Sequence, residues 1–304
     1  MTLIQVSKRY HNTVIGIVLA GGTGSRLHPL TASVSKQLLP IFDKPMIHYP
    51  IATLMLSGIR KMIIVTTPRD QMAFQHLLGD GSELGLEIHY KIQPTPNGIG
   101  AAFVLCQDLL GTERVALILG DNVFHGNGLG QQLSDLAQAF SGAQIFGYPV
   151  LNPSDYGVVE IGANSQVLSI EEKPLHPKSN LAIPGLYFYE SDVVELARQL
   201  SPSSRGEIEI TSVNIAYWQA QKLSVKILPR GTAWFDTGTF ENLADASSYV
   251  RLLQTRQGTK IACLEEISWR NGWISAESFE ALARSSKSRE FLEYARKSIG
   301  KDPF

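Results

Sequence analysis

Two carboxylates and three cations sit where an α/β chain presents its chemistry. Asp121 follows the apolar run Val115-Ala116-Leu117-Ile118-Leu119 through Gly120, and Asp236 follows the aromatic pair Trp234-Phe235. Two acidic residues at strand ends, far apart in sequence, suit Mg2+. That ion takes only one or two protein carboxylates and completes its octahedron with phosphate oxygens and water. Each carboxylate has a plainer alternative as the cap of the turn that follows it, Asp236 before Thr-Gly-Thr above all. Arg26 closes a glycine-rich turn, Leu19-Ala20-Gly21-Gly22-Thr23-Gly24-Ser25-Arg26-Leu27. Glycine lets backbone N–H groups approach anionic oxygens, a following helix N-terminus would add partial positive charge, and a guanidinium forks onto phosphate. Lys36, in Ser35-Lys36-Gln37-Leu38-Leu39-Pro40, and Lys173, in Glu171-Glu172-Lys173-Pro174, are compact charges for anionic oxygens or else solvated lysines. On a strand, Glu171 and Glu172 point to opposite faces, so at most one reaches a site.

The glycine turn is neither of the two commoner phosphate loops. A P-loop closes on Gly-Lys-Ser/Thr, where this chain has Ser25-Arg26-Leu27. The dinucleotide fingerprint needs a third glycine where Leu27 stands and an acidic residue ending the second strand, where Thr66-Thr67-Pro68 stands. His28 adjoins the turn and is within reach of a phosphate there, but the histidines show no ligand spacing. No nucleophile with a paired base is recognisable. The chemistry implied is the placing of a substrate's own nucleophile.

A formal net charge of −1 gives no overall attraction to nucleic acid or to an anionic membrane. No run is long and apolar enough to span a bilayer. Cys106 and Cys263 are too far apart in sequence to form a metal-spaced pair and read as buried apolar residues of a cytoplasmic chain.

These residues must be held by a sheet. Short apolar strands over 14–19, 62–65, 87–92, 115–119 and 144–150 alternate with helical periodicity over 46–57, 69–78, 100–110 and 129–140. That alternation predicts a Rossmann-like, mostly parallel mixed sheet flanked by helices, with ligands at the carboxyl ends of its strands. Past 150 the rhythm changes to a hairpin over 156–170, strands over 185–189 and 224–228, and helices over 192–200 and 208–221. The expected organisation is a flexible extension over 1–13, an α/β domain over 14–240, and a helical C-terminal region over 241–304 packed on it. Within the domain, 14–150 and 151–240 form two parts of different rhythm, the second an inserted β-region.

With these motifs in place, the chain resembles the sugar nucleotidyltransferases. The glycine turn and Ser35–Pro40 stretch carry the general signature. Gly120-Asp121-Asn122, Tyr156-Gly157-Val158-Val159-Glu160, Glu171-Glu172-Lys173-Pro174, Gly185-Leu186-Tyr187-Phe188-Tyr189 and Trp234-Phe235-Asp236-Thr237-Gly238-Thr239 are similar to the glucose-1-phosphate thymidylyltransferase family in particular. The resemblance implies a cytoplasmic, Mg2+-dependent transferase making dTDP-glucose and pyrophosphate from dTTP and glucose 1-phosphate. It implies nucleotide contacts from Leu19, Gly21, Gly22, Thr23, Gly24, Gln93, Gly98 and Asp121, and sugar contacts from Tyr156, Gly157, Glu172, Lys173 and Ile183. Arg26, Lys36, Lys173, Asp121 and Asp236 would carry the reaction, with Asp121 and Asp236 on the metal. A homotetramer and a dTDP-sugar effector at a separate site are also implied. The chain departs from the family's usual residues at Asn97, Ile99-Gly100-Ala101, Ile183-Pro184 and Ser212. The alternatives are a transferase for another nucleotide or another hexose 1-phosphate, or a catalytically silent sugar-nucleotide sensor.

Overall fold

A computed structural model describes residues 13–300 except 23, 164–165 and 204; the expected N-terminal extension therefore lies almost wholly outside the described residues. Strand Val14–Ala20 pairs in parallel with Lys61–Thr66 on one side and Arg114–Leu119 on the other, and Glu87–Ile92 extends the parallel set. These strands read as unbroken apolar runs because both faces are covered. Val14, Val18, Met62, Ile64, Ala116 and Ile118 pack on helices His48–Leu56, Gln71–Leu78 and Leu129–Ala139. Their neighbours Ile15, Ile17, Ile63, Val65, Val115 and Leu117 face Phe103, Cys106, Val193, Val213 and Tyr217.

Beyond Arg114–Leu119 the sheet turns mixed. Leu186–Tyr189 enters antiparallel between Arg114–Leu119 and Ala143–Pro149, so the fifth expected strand keeps its direction but is separated from the parallel set. Leu223–Ile227 pairs in parallel with Ala143–Pro149. The hairpin Gly157–Ile161/Val167–Glu172 joins the same ten-stranded sheet through the short strand Leu181–Ala182. Helices Phe240–Gln257, Leu264–Arg270, Ala276–Ser285 and Arg289–Ile299 follow. The first packs Ala246 and Val250 against Ile41, Met46, Tyr49 and Val123. No helix among the described residues is long and apolar enough to cross a membrane.

Two expected helices change form. The stretch predicted as one helix over 100–110 breaks at Cys106, whose backbone leaves the helical region, into Ala101–Leu105 and Gln107–Leu110; Phe103, Cys106 and Leu110 stay buried on one side. The helix expected to open directly after the glycine turn is absent. A single 3-10 turn, Ser25–Leu27, follows Gly24, and His28 is extended because Pro29 comes next. The turn therefore has no α-helix terminus behind it.

Candidate active site

Two cavities open at the carboxyl ends of the parallel strands and meet at Ile99, Leu119 and Asp121. The larger, of about 490 Å3, is lined by Leu19, Gly21, Gly22, Gln37, Gln93 and Gly98 among others. The smaller, of about 280 Å3, collects Arg26, Tyr156, Gly157, Glu172, Lys173 and Ile183 around Asp121 and Asp236. Asp121 and Asp236, 115 positions apart by their numbers, thus line one cavity. Asp236 Oδ1 accepts from the Gly238 amide at 3.5 Å, as a cap of the turn would, while the helix that follows is capped by Thr239, whose hydroxyl accepts from the Asn242 amide at 3.2 Å.

Asp121 is held from several directions. Lys36, only 8 % exposed, donates to its Oδ2 at 2.7 Å, and the Asn122 side-chain amide donates to its Oδ1 at 2.8 Å. Asn122 Oδ1 in turn accepts from Trp234 Nε1 at 2.7 Å and from the Gly185 amide at 3.0 Å. Trp234 packs on Tyr156 with ring centroids 5.2 Å apart. Asp236 accepts from Asn242. Burial first, and then the Asp236 and Asp155 carboxylates, push the Tyr156 phenol above its usual range, with Arg26 opposing them. It remains a neutral donor at physiological pH.

Among the described residues no group of three or more His, Cys, Asp or Glu could hold a metal unaided. Two carboxylates in one cavity, beside room for a polyphosphate, fit a hard cation that draws its other ligands from substrate and water.

The remaining expected residues fall as follows. Gly24 is left-handed (φ 60°), and its carbonyl accepts from the Thr31 hydroxyl at 2.9 Å; it lines neither cavity. A Cβ there would sit 2.8 Å from Thr31 Cγ2, so both the turn and the contact demand glycine. Thr23 lies outside the described residues. Gln93 donates to Asn97 and, at 3.3 Å, to the Gly98 carbonyl; Asn97 serves here as a neutral acceptor. Glu172 lines the smaller cavity and accepts from Thr211 at 2.5 Å, while Glu171 pairs with Lys178 at 2.8 Å. The Ile183 amide donates to Gly157 at 2.7 Å, so the two residues are fixed together. His28 is exposed and touches neither cavity. Both cysteines are buried, and burial pushes the Cys106 thiol up to about 12.

Sequence reading missed Gln37, which donates to the Gly21 carbonyl at 3.3 Å, and Asn122, Thr211 and Trp234 in the smaller cavity. Gln37 and Asn122 lie directly beside flagged residues, which was the one signal available. A third cavity of about 290 Å3, lined by Tyr49, His125, Lys260, Glu266 and Arg270, was not foreseen either, because its parts come from three distant stretches.

Residues 15–251 match the Nucleotidyl transferase family. The glucose-1-phosphate thymidylyltransferase of Neisseria meningitidis serogroup A is 50 % identical over 286 residues, covering 94 % of this chain and 99 % of its own. That of Mycobacterium tuberculosis is 54 % identical over 270 residues, covering 89 % and 93 %. The chain belongs to the glucose-1-phosphate thymidylyltransferases. A Bacillus anthracis protein assigned to the same family, solved in complex with a sucrose, is 36 % identical with a TM-score of 0.73, covering 79 % of this chain and 96 % of its own. A UDP-glucose pyrophosphorylase solved with UDP-glucose, at 24 % identity and a TM-score of 0.69 over 79 % of this chain and 99 % of its own, shares the fold.

Proposed function

We propose that this chain joins dTTP and glucose 1-phosphate into dTDP-glucose and pyrophosphate. One observation carries the reading: Asp121 lies where the larger and the smaller cavity meet, which is where a nucleoside triphosphate in one and a sugar phosphate in the other would touch. In the reaction a phosphate oxygen of the sugar phosphate attacks the α-phosphorus while the bond to pyrophosphate breaks on the opposite side. Two anions must be brought together, so their repulsion is the obstacle. Arg26 and Lys173 stand in the smaller cavity to offset it, and Lys36 supports phosphate oxygens from beside Asp121. Mg2+, when bound by Asp121 and Asp236, would neutralise charge on the transferred phosphoryl group. Glu172, Tyr156, Gly157 and Ile183 would orient the hexose; Gln93, Gly98, Leu19 and the amides of Gly21 and Gly22 would orient the nucleotide. Alignment of the two reactants supplies up to roughly 7–11 kcal/mol of barrier lowering in well-ordered cases.

The division into a nucleotide part over 14–150 and a sugar part over 151–240 belongs to the same proposal, as do a homotetramer, a cytoplasmic setting and a dTDP-sugar effector. The separate cavity holding Lys260 and Arg270 supports the effector. Pyrophosphate release over a panel of nucleotides and hexose 1-phosphates, with and without Mg2+, tests the central reading. Turnover fastest with dTTP and glucose 1-phosphate, and lost on chelation, is the expected result. A different preferred pair would reassign the substrates, and tight product binding without turnover of any pair would make the chain a sensor.

A further inference from the structure

The segment Asp236-Thr237-Gly238-Thr239 has a residue whose job neither the metal nor the substrates explain. Strand Ala233–Phe235 pairs antiparallel with Val123–His125, with Phe235 opposite Val123. Continued two residues further, that register brings Thr237 opposite Asp121. The ladder does not continue, because Thr237 is left-handed at φ 36°. That is a costly conformation for a β-branched residue and persists only where its surroundings hold it. Its hydroxyl takes the place of the missing ladder bond: Oγ1 donates to the main-chain carbonyl of Asp121 at 2.7 Å. Thr237 is completely buried, and the same hydroxyl lies 3.3 Å from Met46 Sδ. The next residue adds a second constraint. A Cβ on Gly238 would come within 2.8 Å of Arg26 Nη2, so a side chain there would displace the guanidinium from its place across the turn. Thr239 then caps the following helix.

We propose that Thr237 is a positioning residue: its hydroxyl ties the chain carrying Asp236 to the backbone of Asp121, fixing how the two carboxylates face one another. The assignment rests on the reading of those carboxylates as a shared cation site. Without the tether the strained backbone of Thr237 has no reason to keep its conformation, and Asp236 is released with it. Outer partners of metal ligands typically contribute about 10–100-fold in metal affinity or activity.

The test uses the full-length chain with Mn2+ as the probe, its free concentration read by electron paramagnetic resonance in the presence of dTTP, alongside steady-state kinetics and circular dichroism. Thr237→Val keeps the shape and removes the donor, and is expected to weaken Mn2+ about 10–100-fold and to lower kcat comparably. KM for both substrates should stay within about twofold, since neither cavity wall is altered. Thr237→Ser restores the hydroxyl and should return near wild-type values. Thr237→Gly relieves the backbone strain without the hydroxyl and should behave as the valine variant does. Wild-type Mn2+ affinity in the valine or glycine variant overturns the proposal, as does a serine variant as impaired as the valine. If Thr237→Val does not fold, the serine and glycine pair decides by the same criteria. Asp236→Asn separates the two levels of the reading. Weakened Mn2+ binding in Asp236→Asn beside normal binding in Thr237→Val removes the Thr237 assignment alone. Unchanged binding in Asp236→Asn removes the cation site, and the tether with it.

Discussion

The two cavities of the cleft differ sharply in the charge of their linings. The larger has three charged residues in its lining, Arg69, Asp121 and Glu207, and otherwise offers backbone, amides and apolar groups. The smaller, at little more than half the volume, gathers Arg26, Asp121, Asp155, Glu172, Lys173 and Asp236. Recognition of a neutral base needs directed hydrogen bonds from groups that stay put. A reaction between two anions needs charge, concentrated where the bond changes. The difference predicts that substitutions in the larger cavity act on nucleotide affinity and those in the smaller one on sugar phosphate affinity and turnover.

The sharpest way to break that division is Asp121→Asn, at the junction. Turnover is expected to fall about 10^3-fold in a pyrophosphate-release assay with both KM values little moved, and a loss confined to KM would dissolve the distinction. Lys173→Ala should raise KM for glucose 1-phosphate by about 10–100-fold, as the loss of a charged hydrogen bond of about 1.5–3 kcal/mol dictates, and leave that for dTTP nearly unchanged. Equal losses for both would contradict its role. Gln93→Ala should do the reverse on a smaller scale, with KM for dTTP up about tenfold. Uracil differs from thymine by one methyl group, about 1–3 kcal/mol of discrimination, so some turnover is expected with dUTP, and with UTP as far as its extra 2′-hydroxyl is accommodated.

The mildest test lies outside both cavities. Burial first, and then the Lys44 ammonium, push the His48 imidazole down to about 4, with Asp43 opposing; its buried Nε2 has no partner among the described residues. The folded chain keeps His48 neutral while the unfolded chain takes up a proton near 6.5. The associated stability is full above about pH 6.5 and is lost as pH falls toward 4. About 1 kcal/mol should go between pH 6.5 and 5.5 in urea unfolding. His48→Leu should flatten that slope without moving either KM.

The parallel half of the fold was legible because its strands are buried on both faces, so their apolar runs stand out in the sequence. The antiparallel entry of Leu186–Tyr189 was not legible, since a strand's direction and neighbours are set by the path of the chain and leave no mark on its composition. The helix expected after the glycine turn does not form because Pro29 keeps His28 out of the helical region. Within the cleft, charged residues at strand ends were readable from their setting. Asn122, Thr211 and Trp234 were not, because their roles arise from partners up to 112 positions away that only the folded chain supplies.

The strand Leu186–Tyr189 is laced directly onto Arg114–Leu119, and the Leu119 amide donates to Gly185 at 2.9 Å just where the two cavities join. The floor beneath both cavities is therefore a single slab. Pro94, Thr95 and Pro96, exposed in the lining of the larger cavity, form its rim. In hydrogen exchange, ligand should slow the rim amides and leave the slab's as they were.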